Sequence, residues 1–271
     1  MNWRCCFLCL FVLAASVSSR AQISPPGLDG ARIVTWGAVG FSQQLSPRWS
    51  VTGYVGGSRQ SDPDNFNTMK KTGILVINQE LLYTFNPSWQ LAFCTSFRSQ
   101  GVYEEEQPYE KQDPGIRDEL RYYLRLFHKR QAGRVTFTYS FRPEYRTFYT
   151  TGWERWSTPL ELRFRLKAQA AIALNASKSN QVILANEILT AMDEYEEATE
   201  TNGRWSSYHF TENRFTNYFR HTFKKPAVIL DAGLMHQVWK DKENNAHYTM
   251  YLALDLLFQN PFGVLKEKKR E

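Results

Sequence analysis

No stretch of this 271-residue chain beyond its first twenty residues carries 18 apolar residues in a row. That leaves no candidate for a membrane-spanning helix. Cysteine is scarce as well. Of the four cysteines, Cys5, Cys6 and Cys9 fall in the first ten residues, and Cys94 stands alone in the rest. One thiol excludes an intramolecular disulfide and a cysteine-based metal site, so Cys94 reads as a small residue in a strand. Past residue 21 there is no G-x-S-x-G, H-x-x-x-H, C-x-x-C or calcium-loop spacing, and so no recognisable hydrolase or metal motif. Charge of one sign is also missing. Removing Arg4 and Arg20 with a cleaved leader takes the formal charge from +6 to +4. The lysines and arginines are dispersed over strands, without the basic helix or stacking platform of a nucleic-acid binder.

What is present is alternation. In 160–170, Leu160, Leu162, Phe164, Leu166, Ala168 and Ala170 share one face of an extended strand. Glu161, Arg163, Arg165, Lys167 and Gln169 share the other. A period of two marks a strand. The run matches the roughly 9–11 residues a tilted strand needs to cross a bilayer, and exceeds the usual soluble strand of about 5–6. The pattern recurs. In 119–127, Leu120, Tyr122, Leu124 and Leu126 alternate with polar residues; in 135–146, Val135, Phe137, Tyr139 and Phe141 do; in 247–258, Tyr248, Met250, Leu252, Leu254, Leu256 and Phe258 do. A greasy face opposite a charged face suits a membrane barrel with a polar lumen. A sandwich would need that second face to be dry. An aromatic content of 15% fits the aromatic girdles such barrels carry at the lipid–water interfaces.

The N-terminus reads as a secretory leader: Arg4, then an apolar stretch over 5–17, then Ser19-Arg20-Ala21 as a cleavage site. The expected organisation is a leader over 1–21, one barrel over 22–265 and a charged tail over 266–271. Strands are predicted at 32–45, 49–59, 72–85, 88–100, 116–128, 133–147, 159–173, 179–191, 205–222, 226–239 and 246–259. Short and long connections alternate between them, marked by Pro, Asn, Asp and Gly. Outer-membrane barrels have short turns on one side and long loops on the other, and normally an even strand count. Eleven segments therefore predict a single closed antiparallel barrel of about twelve strands, with ten as the alternative and both termini on the short-turn side. Residues 22–30 are the candidate for the missing strand, although Pro25 and Pro26 make a strand there awkward.

Register assigns Glu80, Arg98, Glu119, Arg121, Arg125, Arg142, Glu144, Glu161, Arg163, Arg165, Lys167, Glu187, Glu212, Arg214, Asp231 and Asp255 to the lumen. A charge network is predicted among Glu80, Glu119, Arg121, Arg125, Glu161, Arg163, Arg165, Glu187, Glu212 and Arg214, because opposite charges on neighbouring strands pair across an interior. It serves either as a salt-bridge lattice filling a narrow lumen or as the wall of an anion-favouring pore or cavity. For catalysis, a nucleophile needs a base within hydrogen-bond reach. The best local cluster is His209 with Ser206, Ser207 and Glu212, and it matches no motif.

The chain also resembles a family of outer-membrane barrels known as domain of unknown function 2490, common in Bacteroidetes. The resemblance lies in Trp36, Leu45-Ser-Pro-Arg-Trp49 with Arg59, Asn78-Gln-Glu80-Leu-Leu-Tyr83 and Arg121-Tyr-Tyr123. It continues through Leu162-Arg-Phe-Arg165, Asn186-Glu187, Glu212-Asn-Arg-Phe215 and the closing segments 229–239 and 247–258. It implies a barrel in the outer membrane of a Gram-negative cell and brings no substrate or catalytic residue. The expectation is a non-enzymatic, monomeric barrel with a mostly closed lumen and no cofactor or metal. Its partners would be outer-membrane lipids and the barrel-insertion machinery, not nucleic acid. The alternatives are a lipid-modifying outer-membrane enzyme and a soluble periplasmic barrel.

Overall fold

The computed structural model describes residues 25–28, 30–199, 203–240 and 245–263. The expected leader at 1–21 and tail at 266–271 lie outside the described residues. Twelve strands follow one another, and among the described residues there is no helix. They are β1 (Ile33–Gln44), β2 (Trp49–Gln60), β3 (Lys71–Thr84), β4 (Trp89–Tyr103), β5 (Lys111–Ala132) and β6 (Val135–Tyr149). Then come β7 (Arg155–Ala173), β8 (Asn180–Thr199), β9 (Gly203–Trp205), β10 (His209–Phe223), β11 (Val228–Lys240) and β12 (Ala246–Gln259).

Neighbours in sequence pair antiparallel from β1 to β8, β8 pairs with β10, and β10 to β12 continue to the seam with β1. The sheet is thus closed, and closure leaves no unpaired strand edge. Eleven strands form the wall. β9 is a three-residue addition beside the end of β8, with Trp205 opposite Glu194. The expected barrel of about twelve strands is present, but its seam departs from the expectation. β1 and β12 run parallel, from Ile33 opposite Met250 to Ser42 opposite Gln259. An odd wall of otherwise antiparallel strands has to contain one parallel pair. It follows that β1 starts at the long-loop rim and β12 ends at the short-turn rim, so the two ends of the wall do not share a side.

In the candidate segment 22–30, the described residues, 25–28 and 30, do not supply a wall strand. Residues 25–28 lie inside the lumen, with Pro25 and Leu28 buried. We call this segment the strap. Pro25 and Pro26 lack backbone N–H groups and so cannot donate to a ladder. Side chains of the wall meet several of the strap's polar groups. The Leu28 N–H donates to Tyr251 Oη at 2.6 Å, Arg98 donates to the Gly27 carbonyl at 3.1 Å and Arg214 to the Pro25 carbonyl at 3.4 Å. Leu28 also joins an apolar cluster inside the wall with Val34, Trp36, Ile74, Met235 and Tyr251.

The two faces divide as the alternation predicts. Leu166, Tyr122, Leu124, Tyr139, Leu254 and Phe258 are exposed on the outer surface. Glu119, Arg121, Glu144, Arg165, Arg214 and Asp255 are buried on the inner one. Gly56 permits one close inner contact. A Cβ there would overlap the Trp36 ring, and Trp36 Nε1 donates to Asp255 Oδ1 at 2.8 Å. The short turns use the expected chemistry. Asn86 Oδ1 accepts from the Ser88 and Trp89 N–H groups at 2.9 Å each, an Asx turn. Gly133, with φ of 55°, opens the two-residue connection between β5 and β6. The acidic stretch at 192–199, expected as a loop, is instead an extension of β8. Beyond the apolar belt an outer face has no need of hydrophobic residues, so its alternation fades while pairing continues.

Candidate functional site

The lumen carries a closed ring of ion pairs built from β5, β6, β7, β8 and β10. Glu119 contacts Arg121 at 2.7 Å and Arg146 at 2.8 Å. Arg146 reaches on to Glu161, and Glu161 to Arg163 at 2.6 Å. Arg163 meets Glu212 at 3.2 Å, and Glu212 meets Arg214 at 2.6 Å. Arg214 lies 3.6 Å from Glu187, and Glu187 lies 3.7 Å from Arg165. Arg165 contacts Glu144 at 2.7 Å, and Glu144 lies 3.7 Å from Arg121, which closes the circuit. Five carboxylates alternate with five guanidiniums, so the ring is neutral. Arg146 grips Glu119 with Nε at 2.8 Å and Nη2 at 2.9 Å, and Arg214 grips Glu212 at 3.0 and 2.6 Å. These are two-pronged contacts of the strong kind.

The strand register explains why a ring forms. Arg121 sits directly opposite Arg146, and Arg142 opposite Arg165. Like charges facing each other repel. Here each is offset by a carboxylate two residues along its own strand or diagonal to it, so no guanidinium is left to face its twin alone. Glu119 and Glu144 carry the most load. Arg98 approaches Glu119 at 3.9 Å, and Arg142 also contacts Glu144.

Of the ten residues expected in the network, Glu119, Arg121, Glu161, Arg163, Arg165, Glu187, Glu212 and Arg214 are in the ring. Glu80 and Arg125 pair with each other at 3.0 Å beside it, and Glu80 accepts from Tyr123 Oη at 2.8 Å. The ring also needs Glu144 and Arg146, which the expected network did not contain. Register places Glu144 in the lumen without pairing it, and Arg146 follows it at a period of two, so the same alternation carried on to 146 finds it. Arg220 is a further omission. It makes a two-pronged contact with Asp231 at 2.7 and 2.6 Å nearer the short turns. Cys94 is a buried free thiol packed with Ala92, Tyr123 and Phe127.

The histidine cluster comes apart. His209 Nε2 lies 3.5 Å from Asp193 and its Nδ1 is 3.0 Å from the Ser207 carbonyl. The Ser206 hydroxyl donates to the Ser207 carbonyl and accepts from the Asp193 N–H. Glu212 is committed to Arg214 and Arg163. No serine hydroxyl of this cluster is hydrogen-bonded to the imidazole, so a nucleophile–base pair is not formed. Among the described residues no group of His, Cys, Asp and Glu is arranged to hold a metal ion.

At the long-loop rim Asp62, 1% exposed, holds Lys70 at 2.5 Å and Lys71 at 2.7 Å. Burial pushes its carboxyl up, but hydrogen bonds from Lys70, Lys71 and Asn65 outweigh that and hold it down at about 2. The pairing ties the β2–β3 connection to the wall.

Between the ring and the short turns lies a cavity of about 500 Å3. Pro25 and Pro26 of the strap form part of its lining, and it extends to Ser177, Lys178 and Lys224 in the short turns. Its wall contains eleven lysines and arginines but only two carboxylates, Glu80 and Glu187. Thr136, Thr138, Ser140 and Gln169 add hydroxyl and amide groups, and Tyr54, Phe127 and Val76 an apolar patch.

The fold and its inner face define the class of protein: a closed β-barrel with an ion-paired lumen and a basic cavity. Residues 34–248 match the family described as protein of unknown function (DUF2490), and the chain belongs to that family. Among solved structures, it is similar to LpxR from Salmonella typhimurium at 9% identity and a TM-score of 0.40, covering 78% of this chain and 84% of that one. No curated protein matches its sequence.

Proposed function

We propose that this is a non-enzymatic barrel of a Gram-negative outer membrane whose lumen is closed, acting as a binding or structural component rather than as an open pore. The observation that carries the reading is the ten-membered ion-pair ring on the inner face together with the strap, whose Pro25 and Leu28 are buried within the barrel. Desolvated charges in such number are tolerated only when paired, and pairing across strands fills the interior that a channel would need. Membrane placement draws support from the outer surface. Trp49, Tyr83 and Phe85 cluster at the short-turn rim, with ring centroids 4.8 and 5.0 Å apart. Tyr149 and Trp153 cluster at the long-loop rim, 5.5 Å apart. Exposed aliphatic residues such as Leu124, Leu166 and Leu254 lie between them, the arrangement expected of a lipid belt with aromatic girdles.

Two measurements test this. Purified protein in planar bilayers is expected to give no large, steady conductance; one would refute the closed lumen. Leu162→Arg, on the outer face halfway along β7, is expected to cost about 2–4 kcal/mol of folding free energy in lipid vesicles. Unchanged folding yield would show that this face does not meet lipid.

A further inference from the structure

We infer that the cavity below the ring is a binding site for a small phosphorylated polyol, a phosphate group carried on a hydroxylated carbon skeleton. The inference deepens the binding role above and rests on that reading only for the side from which the ligand arrives. The ring is neutral within itself and also takes up Arg98 and Arg142 of the cavity wall through Glu119 and Glu144, but it does not reach the lysines nearer the short turns. Around the cavity, Arg125 is balanced by Glu80 and Arg220 by Asp231. Lys129, Lys178 and Lys224 line it too, and none of the three lies within 4.0 Å of a carboxylate among the described residues. The cavity wall therefore holds a positive excess that a structural lattice does not require. Low-dielectric walls focus the field of such charges and concentrate anions.

The remaining lining indicates the body of the ligand. Thr136, Thr138, Ser140 and Gln169 project from adjacent strands β6 and β7 into the same space. Hydroxyl and amide groups that both donate and accept suit sugar or polyol hydroxyls, whereas a bare inorganic anion would leave them unused. A volume of about 500 Å3 falls in the usual small-molecule range of roughly 300–1,000 Å3. Pro25 and Pro26 of the strap line the cavity on one side, and Ser177, Lys178 and Lys224 of the short turns line it on the other, so the inferred entry is from the short-turn rim, past Lys178 and Lys224. The same chemistry belongs to free sugar phosphates and to phospholipid headgroups, and the experiment separates them.

The test is calorimetric titration of the full chain in neutral detergent micelles at low salt. The probes are glucose 6-phosphate, glucose and short-chain dihexanoyl phosphatidylglycerol. Glucose 6-phosphate is expected to bind and glucose not to bind. The variant K129Q/K178Q/K224Q is expected to bind about tenfold more weakly or worse, because lysine acts on phosphate as a point charge. Added salt should narrow the difference. Lys178 and Lys224 are exposed at the rim, so K178Q/K224Q keeps the ring and the fold intact should the triple variant fail to fold, and is expected to lose affinity in the same direction. Lysine-dependent binding of the lipid probe alone would assign the headgroup as the source. Absence of binding by both phosphorylated probes up to about 10 mM, a limit corresponding to less than about 3 kcal/mol of affinity, overturns the inference. So does binding that the lysine variants leave unchanged. Because the readout is in micelles, an open pore in bilayers would defeat the closed-lumen reading without touching this one.

Discussion

Glu119→Gln is expected to destabilise the barrel by about 3–5 kcal/mol, the usual cost of removing one partner from a buried ion pair. Glu119 is 2% exposed and faces Arg98, Arg121 and Arg146. The amide keeps the shape but loses the charge, and three guanidiniums then share one remote set of carboxylates. Arg121 already faces Arg146 across the β5–β6 ladder, so their repulsion is no longer offset where they meet. Glu161→Gln is expected to cost less, since Glu161 faces two arginines and one of them, Arg163, also reaches Glu212. Glu105→Gln, in an exposed connection, is expected to stay within about 0.5 kcal/mol. Urea titration in lipid vesicles, followed by gel mobility with and without heating, gives all three values. If Glu119→Gln behaved like Glu105→Gln, the ring would be an ornament of the lumen and not its support.

The ring also shows how far the sequence carries the reading. Each wall strand shows its inner face through alternation, which is why nine of the ring's ten members fall in the lumen from residue spacing. Arg146 lies on the same face two residues past Glu144, but Pro143 interrupts the apolar outer face between Phe141 and Tyr145, which weakens the alternation there. Nor does alternation encode direction. It identifies eleven extended segments at the right places, but a period of two is the same for a parallel and an antiparallel neighbour. The usual even count then points to a twelfth strand. The structure resolves the odd number differently: residues 25–28 occupy the lumen, and the wall closes through a parallel seam. Pro25 and Pro26 are the local sign of this, since they argue against a ladder without saying where the segment goes. The cavity is less legible still. Lys129, Lys178 and Lys224 come from a strand end and two separate turns, and only closure of the barrel brings them to one wall.

Gly27→Leu is expected to turn a silent barrel into a conducting one. Gly27 sits where the strap crosses the lumen. A Cβ at this position would lie 2.9 Å from Gln237 Nε2 and closer still to Glu212 and Arg214. Those neighbours cannot easily withdraw. Glu212 and Arg214 hold each other in a two-pronged contact, and Gln237 accepts from Tyr251 Oη at 2.6 Å. A leucine side chain therefore has no room, and the strap is the part held more weakly. Its anchors are five hydrogen bonds, each worth about 1 kcal/mol net, and the burial of Leu28, worth roughly 1.5–3 kcal/mol. The usual overpacking cost of about 1–3 kcal/mol applies where neighbours can shift; here three held side chains already overlap the first carbon of the leucine, so displacement of the strap is the expected relief. The wall strands keep all their ladders, and the barrel should still fold and show its heat-dependent mobility. Single-channel recording in planar bilayers would then show discrete steps for Gly27→Leu and none for the unmodified chain. A folded variant that stays silent would assign closure to the ion-pair ring alone, and Glu161→Gln, which opens that ring while sparing the strap, would then be the variant that conducts.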